Sequence, residues 1–426
     1  MPSFTRSCRV LLAAALCAFS GGRAHAAHEV SLSEALGLAE KNSPGLKAAA
    51  LKEQAARAGV DVARAGYLPS VALDAVDSWG FPGSSGYLGI GGLAGSPYRS
   101  GAAADLVAHE TLFDFGRTRA GVKAAEDARK ARHEEIALGK YSVDADVLQT
   151  FYQCARFRSD HEVWDNLHGD TELVAQEVRR YVNTGQRSLV DRYLSDAQVE
   201  EARTNRNYFK SRMTSTVKRL SLLMGVPEGD LACPALPALG ERVPLAPGDG
   251  PNPYVARSQA DVDAAKNKLS AAKTDYLPKL VGMASVGGMD KVRLVTRTDY
   301  SAGVGLIVPL FDGFGTVNRV RQARAQVDAT TQELGEVDLQ MRELNAKYDE
   351  IIDASQARIE HLQREQTLAQ EGFSVAKNRY FKFQGTLVDL RDALRNVGRI
   401  QIEMRDTQAD LLEASGAKAL LAGGKP

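Results

Sequence analysis

The chain has 426 residues, with 53 Lys+Arg balanced by 53 Asp+Glu, so no net field draws nucleic acid or an anionic surface. Hydrophobic residues make up 44%, and no stretch beyond the N-terminus approaches the 18 or so apolar residues of a spanning helix. These numbers exclude a nucleic-acid binder and a bundle of membrane-spanning helices.

The N-terminus reads as an export signal. Arg6 and Arg9 precede the apolar run Val10 to Phe19, and Ala24-His25-Ala26 fits a small-x-small cleavage site. Residues 1–26 are therefore assigned to a signal peptide, with the mature chain starting near Ala27. Cys17 follows Leu16 and not a small residue, so it belongs to the apolar run and is not a lipid-attachment site. Beyond it lie Cys154 and Cys233. Export would allow them to pair, but two cysteines make no framework, and the expectation is two unpaired thiols.

Ser31-Leu32-Ser33-Glu34 has the capping-box pattern and starts a helix at about Leu32. Asn42-Ser43-Pro44 interrupts it, and Pro44 seeds a second helix running to about Gly66. After Tyr67-Leu68-Pro69, Val71, Leu73 and Ala75 alternate with Ser70, Ala72 and Asp74, the period of a strand. A Gly/Ser/Pro-rich stretch, Gly80 to Tyr98, leads to a weaker strand candidate, Ala102 to Leu112. The marker Leu112-Phe113-Asp114-Phe115-Gly116 follows. No proline occurs between Pro97 and Pro227, so Gly116 to about Val182 is predicted as one helix of roughly 100 Å. It turns near Gly185 and returns from about Val190 to Leu223. Seven prolines between Pro227 and Pro253 then mark a connector that cannot be helical.

The second half repeats the first. Pro253 opens a helix that runs into Tyr276-Leu277-Pro278. Strand candidates follow at Leu280 to Val286 and at Ala302, Val304, Leu306, Val308 and Leu310. The marker is Leu310-Phe311-Asp312-Gly313-Phe314-Gly315. A Pro-free helix from Thr316 to Phe381 carries Leu334, Val337, Met341, Leu344, Tyr348 and Ile351 at coiled-coil spacing. It turns near Gly385 and returns from about Val388 to Leu421. A period of roughly 200 residues is a duplicated domain-sized unit, not a solenoid array. The units are 27–226 (strand pair about 68–113, helical hairpin 116–225) and 253–426 (strand pair about 277–311, hairpin 315–422), joined by 227–252. The offset is 209 between Tyr67 and Tyr276 but 198 between Phe113 and Phe311, so 11 extra residues lie in the first strand–loop–strand portion. Insertions collect in exposed loops, which fits Gly80 to Tyr98.

Tyr67, Phe113, Tyr276 and Phe311 mark one end of the strands; Trp79, Phe81, Tyr98 and Tyr300 mark the other. Short alternating segments between aromatic girdles suit a transmembrane β-barrel, against the alternative of a soluble antiparallel sheet. In the barrel reading, four strands per chain cannot close, and an open edge cannot stay in lipid, so copies must associate.

The tandem halves, the strand-ending Leu-Phe-Asp markers, and the pattern Tyr-x-x-x-x-Gly-x-Leu-Val-Asp-x-x-Asp-Ala from Tyr380 to Ala393 resemble the TolC-type outer-membrane efflux proteins. The resemblance covers essentially the whole mature chain. It implies a mainly α fold with transmembrane β, tandem-duplicated: a homotrimer with a 12-stranded β-barrel in outer-membrane lipid and a long periplasmic α-helical barrel. The connector and terminal segments would form an equatorial girdle. Function would be the exit duct of a tripartite efflux pump or type I secretion system, with a periplasmic membrane-fusion adaptor and an inner-membrane transporter as partners. A soluble periplasmic coiled-coil adaptor is the alternative, but adaptors carry one hairpin where this chain carries two.

No cofactor or enzyme chemistry is expected. His133-Glu134-Glu135 and His161-Glu162 lack the second His of a zinc-protease helix, and Gly89-Ile90-Gly91-Gly92 runs into a Pro-bounded loop, not a helix. A duct instead needs a constriction. Asp389 and Asp392, one turn apart, would form stacked carboxylate rings in a trimer, favouring cations. On local sequence alone they serve equally well to complement a helix dipole; the resemblance favours the rings. The resemblance also implies a latch of Tyr, Asp and Arg between the tips. Tyr380 and Asp191 match two roles, but the Arg position falls on Gly385, leaving Arg187, Arg192, Lys382 and Arg391 as substitutes. Arg391 also lies between the two acids, where it would weaken their field.

Overall fold

The computed structural model describes residues 28–79, 100–227, 229, 231–239, 252–290 and 298–424. Residues 1–26, expected to be a signal peptide, the stretch Gly80 to Tyr98 and most of the expected connector lie outside the described residues. In chain order the elements are β1 (His28–Glu29), α1 (Leu32–Asn42), α2 (Pro44–Arg64), β2 (Ser70–Trp79), β3 (Ser100–Phe113), α3 (Arg117–Asn183), α4 (Leu189–Met224), β4 (Leu231–Ala232), α5 (Pro253–Lys273), β5 (Lys279–Asp290), β6 (Thr298–Ile307), α6 (Gly315–Phe381) and α7 (Leu387–Leu421).

The two halves match closely. α2 and α5 each have 21 residues with proline in the first turn, and each passes through one 3-10 turn into its strand pair. α3 and α6 each have 67 residues. The markers explain how strand becomes helix. The Asp114 carboxylate accepts from the backbone N–H of Gly116 (3.1 Å) and Thr118 (2.8 Å) and from the Thr118 hydroxyl (2.5 Å). Asp312 does the same for Thr316, at 2.7 Å to both groups. Each aspartate thus satisfies donors that the first helical turn leaves orphaned. Burial would push Asp114 up, but these hydrogen bonds outweigh it and hold its pKa below the usual carboxylate value.

β2, β3, β5 and β6 form one antiparallel sheet in the order β2-β3-β5-β6, while β1 and β4 pair in parallel. Leu73 pairs with Leu106, Leu106 with Val286, and Val286 with Tyr300. That row, with Val71, Val304 and Leu306, makes one face apolar and exposed. The other face carries Asp74, Asp105, His109, Ser285 and Ser301, the two serine hydroxyls 2.8 Å apart. β6 was expected to reach Leu310 but ends at Ile307. Ile307 pairs with Lys279, the first residue of β5, and Pro309 has no N–H to donate. Among the described residues, β2 and β6 each have one unpaired edge.

Among the described residues α3 packs on α1, α2, α4, α5 and α7, whereas α6 packs chiefly on α5 and α7 and meets α3 at the tip. The difference shows in burial: α3 buries side chains along its whole length, and α6 buries Thr316, Thr330, Ser355, Leu362 and Tyr380. The predicted α6 seam from Leu334 to Ile351 is half-buried, while Leu339, Leu368 and Val375 on other faces stay exposed. Among the described residues, no helix is long and apolar enough to cross a membrane.

Around the middle of α3 lies the largest core. Ala35, Leu36 and Ala39 of α1, Val147, Leu148 and Tyr152 of α3, Leu220 and Met224 of α4, and Leu412 and Leu420 of α7 meet there. Polar ties fix the crossing segments: Asn42 Nδ2 donates to the Met224 carbonyl at 2.7 Å, and Gln408 Nε2 to Pro237 at 2.6 Å. The expectation of unpaired thiols is wrong. Cys154 and Cys233 form a disulfide, with Cα atoms 5.3 Å apart, that pins the segment after β4 to α3. Spacing could not reveal this, because 79 residues separate the two cysteines and only tertiary packing brings them together.

Candidate functional site at the helical tips

Both long helices end in the same backbone turn. At the end of α3, Gly185 adopts φ +72° and Gln186 N–H bonds the Tyr181 carbonyl at 2.8 Å. At the end of α6, Phe383 adopts φ +62° and Gln384 N–H bonds the Arg379 carbonyl at 2.8 Å. These are Schellman closures, which normally place glycine at the left-handed position. Ser188 then caps α4 through Asp191 N–H (3.2 Å), and Thr386 caps α7 through Asp389 N–H (3.2 Å). The counterpart of Gly185 is thus Phe383. Gly385 is the counterpart of Arg187.

Arg187 lies across the second tip. Its guanidinium donates to the carbonyls of Tyr380 (2.5 Å) and Gly385 (3.3 Å). It also stacks 4.2 Å from the Tyr380 ring centroid and 5.1 Å from that of Phe383. Gly385 is small where this happens: a Cβ there would already approach Arg379 Cβ at 3.3 Å. Tyr380 is fully buried among Val174, Val178, Leu387 and Leu390. Burial first, and then the Asp191 carboxylate, push its hydroxyl up to about 12, while Arg187 pulls the other way. Asp191 faces that hydroxyl without closing a hydrogen bond of ordinary geometry. Tyr181 completes the cluster, edge-on to Phe383 at 5.2 Å.

Of the predicted latch residues, the structure brings Tyr380, Asp191 and Arg187 together. Arg391 turns instead to its neighbour, Nε and a terminal nitrogen reaching Asp392 Oδ1 at 3.1 and 3.0 Å. Arg192 lies 3.8 Å from Asp196, and Lys382 ends α6 in an exposed position. Phe383 was not singled out from the sequence; its left-handed conformation is masked there by the nearby glycine.

Asp389 and Asp392 both face solvent, opposite the buried stripe of Leu387, Leu390 and Leu394. Neither is wholly free. Asp389 Oδ2 accepts from Thr386 N–H (3.2 Å) and the Thr386 hydroxyl (2.8 Å), completing a capping box. The Thr386 side chain, then its backbone, hold the Asp389 pKa below the ordinary carboxylate value, so the charge is present at neutral pH. The arrangement can present two layers of negative oxygen at the tip, with Arg391 offsetting part of the second.

Comparison with known proteins is consistent along the chain. The model of the family described as "Outer membrane efflux protein" matches residues 35–226 and 250–424. CyaE of Bordetella pertussis is 27% identical over 317 residues, covering 70% of this chain; the chain spans 64% of CyaE's length. The outer membrane efflux protein BepC of Brucella suis is 23% identical over 433 residues, 97% of this chain and 90% of BepC. The outer membrane protein VceC of Vibrio cholerae superposes with a TM-score of 0.80 at 18% identity, covering 92% of this chain and 96% of VceC.

Proposed function

This chain belongs to the outer membrane efflux protein family, and from that premise we propose that it is an outer-membrane exit duct assembled from three copies. The observation that carries the reading is the sheet: four strands, with an exposed apolar row on one face, a mixed face carrying Asp74, Asp105, His109, Ser285 and Ser301 on the other, and β2 and β6 each unpaired on one side among the described residues. Lipid tolerates no open sheet edge, so β6 of one copy pairs with β2 of the next until twelve strands close. The apolar row containing Leu73, Leu106 and Val286 faces lipid; the row containing Asp74 and Ser285 faces water. The sparsely buried α6 packs on the next copy's α2 and α4, continuing the closure into a periplasmic helical tube.

The proposed chain division is a signal over 1–26, repeats over 27–226 and 253–426, and a connector over 227–252 that belongs to the equatorial girdle. Strand pairs connect away from the long helices, which puts Gly80 to Tyr98 outside the cell. A periplasmic adaptor and an inner-membrane transporter supply the cargo, and the duct itself performs no catalysis. Asp389 and Asp392 form the aperture, and Arg187, Tyr380 and Asp191 hold the two tips of each copy together.

Native mass measurement of the purified complex in detergent tests this reading. Three chains per particle are expected; a stable monomer retaining its full β content would contradict it.

A further inference from the structure

Above the tips, where the two helical hairpins face each other, there is a cavity of about 500 Å³ that the conduction reading does not use. Its walls come from all four long helices. Trp164 and Leu167 of α3 and Leu394 and Ile402 of α7 form an apolar floor. Gly398 keeps α7 close to α3 here, since a Cβ would come within 2.5 Å of Leu167 Cδ1. Two polar groups next to this floor lack hydrogen-bond partners among the described residues: the Trp164 indole N–H and Asp406 Oδ1.

Charge around the cavity is unequal. Arg395 is matched by Glu201 and Arg399 by Glu365, at 2.5 and 2.6 Å. Glu403 takes Arg358. Arg156 is left to serve Asp406, at 3.3 Å, and Asp410 together. Asp160 lies one turn above Trp164 on the same face of α3. It is 3% exposed, its Oδ1 has no partner, and the nearby charges acting on it are Asp406 and the same Arg156. Burial and then Asp406 push its pKa up to about 7. Asp406 and Asp410, which line the cavity, thus share one guanidinium with Asp160, which lies behind the wall next to the aromatic and aliphatic floor.

We propose that this inter-hairpin cavity is a binding site for small amphiphilic organic amines. The apolar body would rest on Trp164, Leu167, Leu394 and Ile402, and the ammonium would donate to Asp406. The volume suits a drug-sized molecule, and a few placed polar groups against apolar walls are what such sites use. An ammonium adds a well-aligned donor to Asp406 Oδ1, whose 3.3 Å ion pair with Arg156 Nε falls short of hydrogen-bond geometry, and it gains further from a nearby indole face. All the residues belong to one chain, so the site does not depend on the proposed conduction role.

The chain has two tryptophans, so a Trp79→Phe variant leaves Trp164 as sole reporter. The assembled W79F protein in detergent is titrated with 4-phenylbutylamine, 4-phenylbutanol and 4-phenylbutyrate while Trp164 emission is followed. The amine is expected to give a saturable change, the alcohol a weaker one and the acid none. Asp406→Asn in the same background should weaken amine binding about tenfold, and Asp160→Asn, behind the wall, should weaken it less. Because the three probes are compared on one protein, the answer does not depend on the variants folding. No saturable change with the amine, equal responses to all three probes, or amine binding unchanged in both variants overturns the proposal.

Discussion

At the end of α3 the left-handed residue is Gly185, and two positions later stands Arg187. At the end of α6 the same two positions hold Phe383 and Gly385. A left-handed glycine carries no Cβ penalty, whereas a left-handed phenylalanine costs about 1–2 kcal/mol. The first turn is thus relaxed and carries the long charged side chain. The second is strained and bare, and it receives that side chain on its own carbonyls. The duplicated aspartates diverge as well. Asp389 folds back onto Thr386 to close its capping box, while Asp191 faces Tyr380. One turn clasps and the other is clasped, from the same starting pattern.

The largest break in this comparison is Arg187→Ala. It removes two charge-assisted hydrogen bonds and the stacking on Tyr380 and Phe383, together about 2–4 kcal/mol of tip pairing. Hydrogen exchange should show faster opening of the amides around 378–386, with the core around Leu148 unchanged. Lysine at this position should restore only part, since it lacks the planar fork that spans two carbonyls.

A sharper contrast exchanges the backbone roles. Gly185→Ala forces a Cβ into the left-handed region and should cost about 1 kcal/mol. Phe383→Gly relieves that strain but loses the ring contacts with Tyr181 and Arg187, so the two effects nearly cancel. Thermal melting of the helical signal should therefore fall for the first variant and stay close to the wild type for the second. Equal losses in both would mean that the turns are not asymmetric in strain.

The smallest effect on stability comes from the acids. Replacing both Asp389 and Asp392 by Ala removes exposed carboxylates, so melting should hardly move, while cation preference in bilayers should fall. Reversal potentials matching the wild type across a salt gradient would assign Asp389 to capping alone. Since hydrogen bonds lower the Asp389 pKa, its cap is complete at neutral pH and weakens only as the pH falls below about 4.

The long helices were legible in the sequence because proline positions bound them and the Phe-Asp markers recur. The sheet was legible through alternation, though β6 overran because alternation says nothing about where a partner strand begins. The tip was only half legible. Asp191 and Tyr380 stood out by motif, yet a glycine near each turn did not reveal that Phe383 takes the left-handed position at the second, since helix closure is a matter of backbone φ. Arg187 was one of four candidate cations, and only tertiary packing ranks them. The Cys154–Cys233 bond and the buried Asp160 depend on contacts distant in sequence and left no local signal.

Single-channel recording of the Arg187→Ala protein beside the wild type, in a planar bilayer, tests the account most directly. A duct held shut by its tips predicts small, cation-selective currents from the wild type and conductance several-fold larger from the variant. If neither protein conducts, the duct reading is contradicted. If both conduct identically, the clasp between the two tips is not what closes the tube.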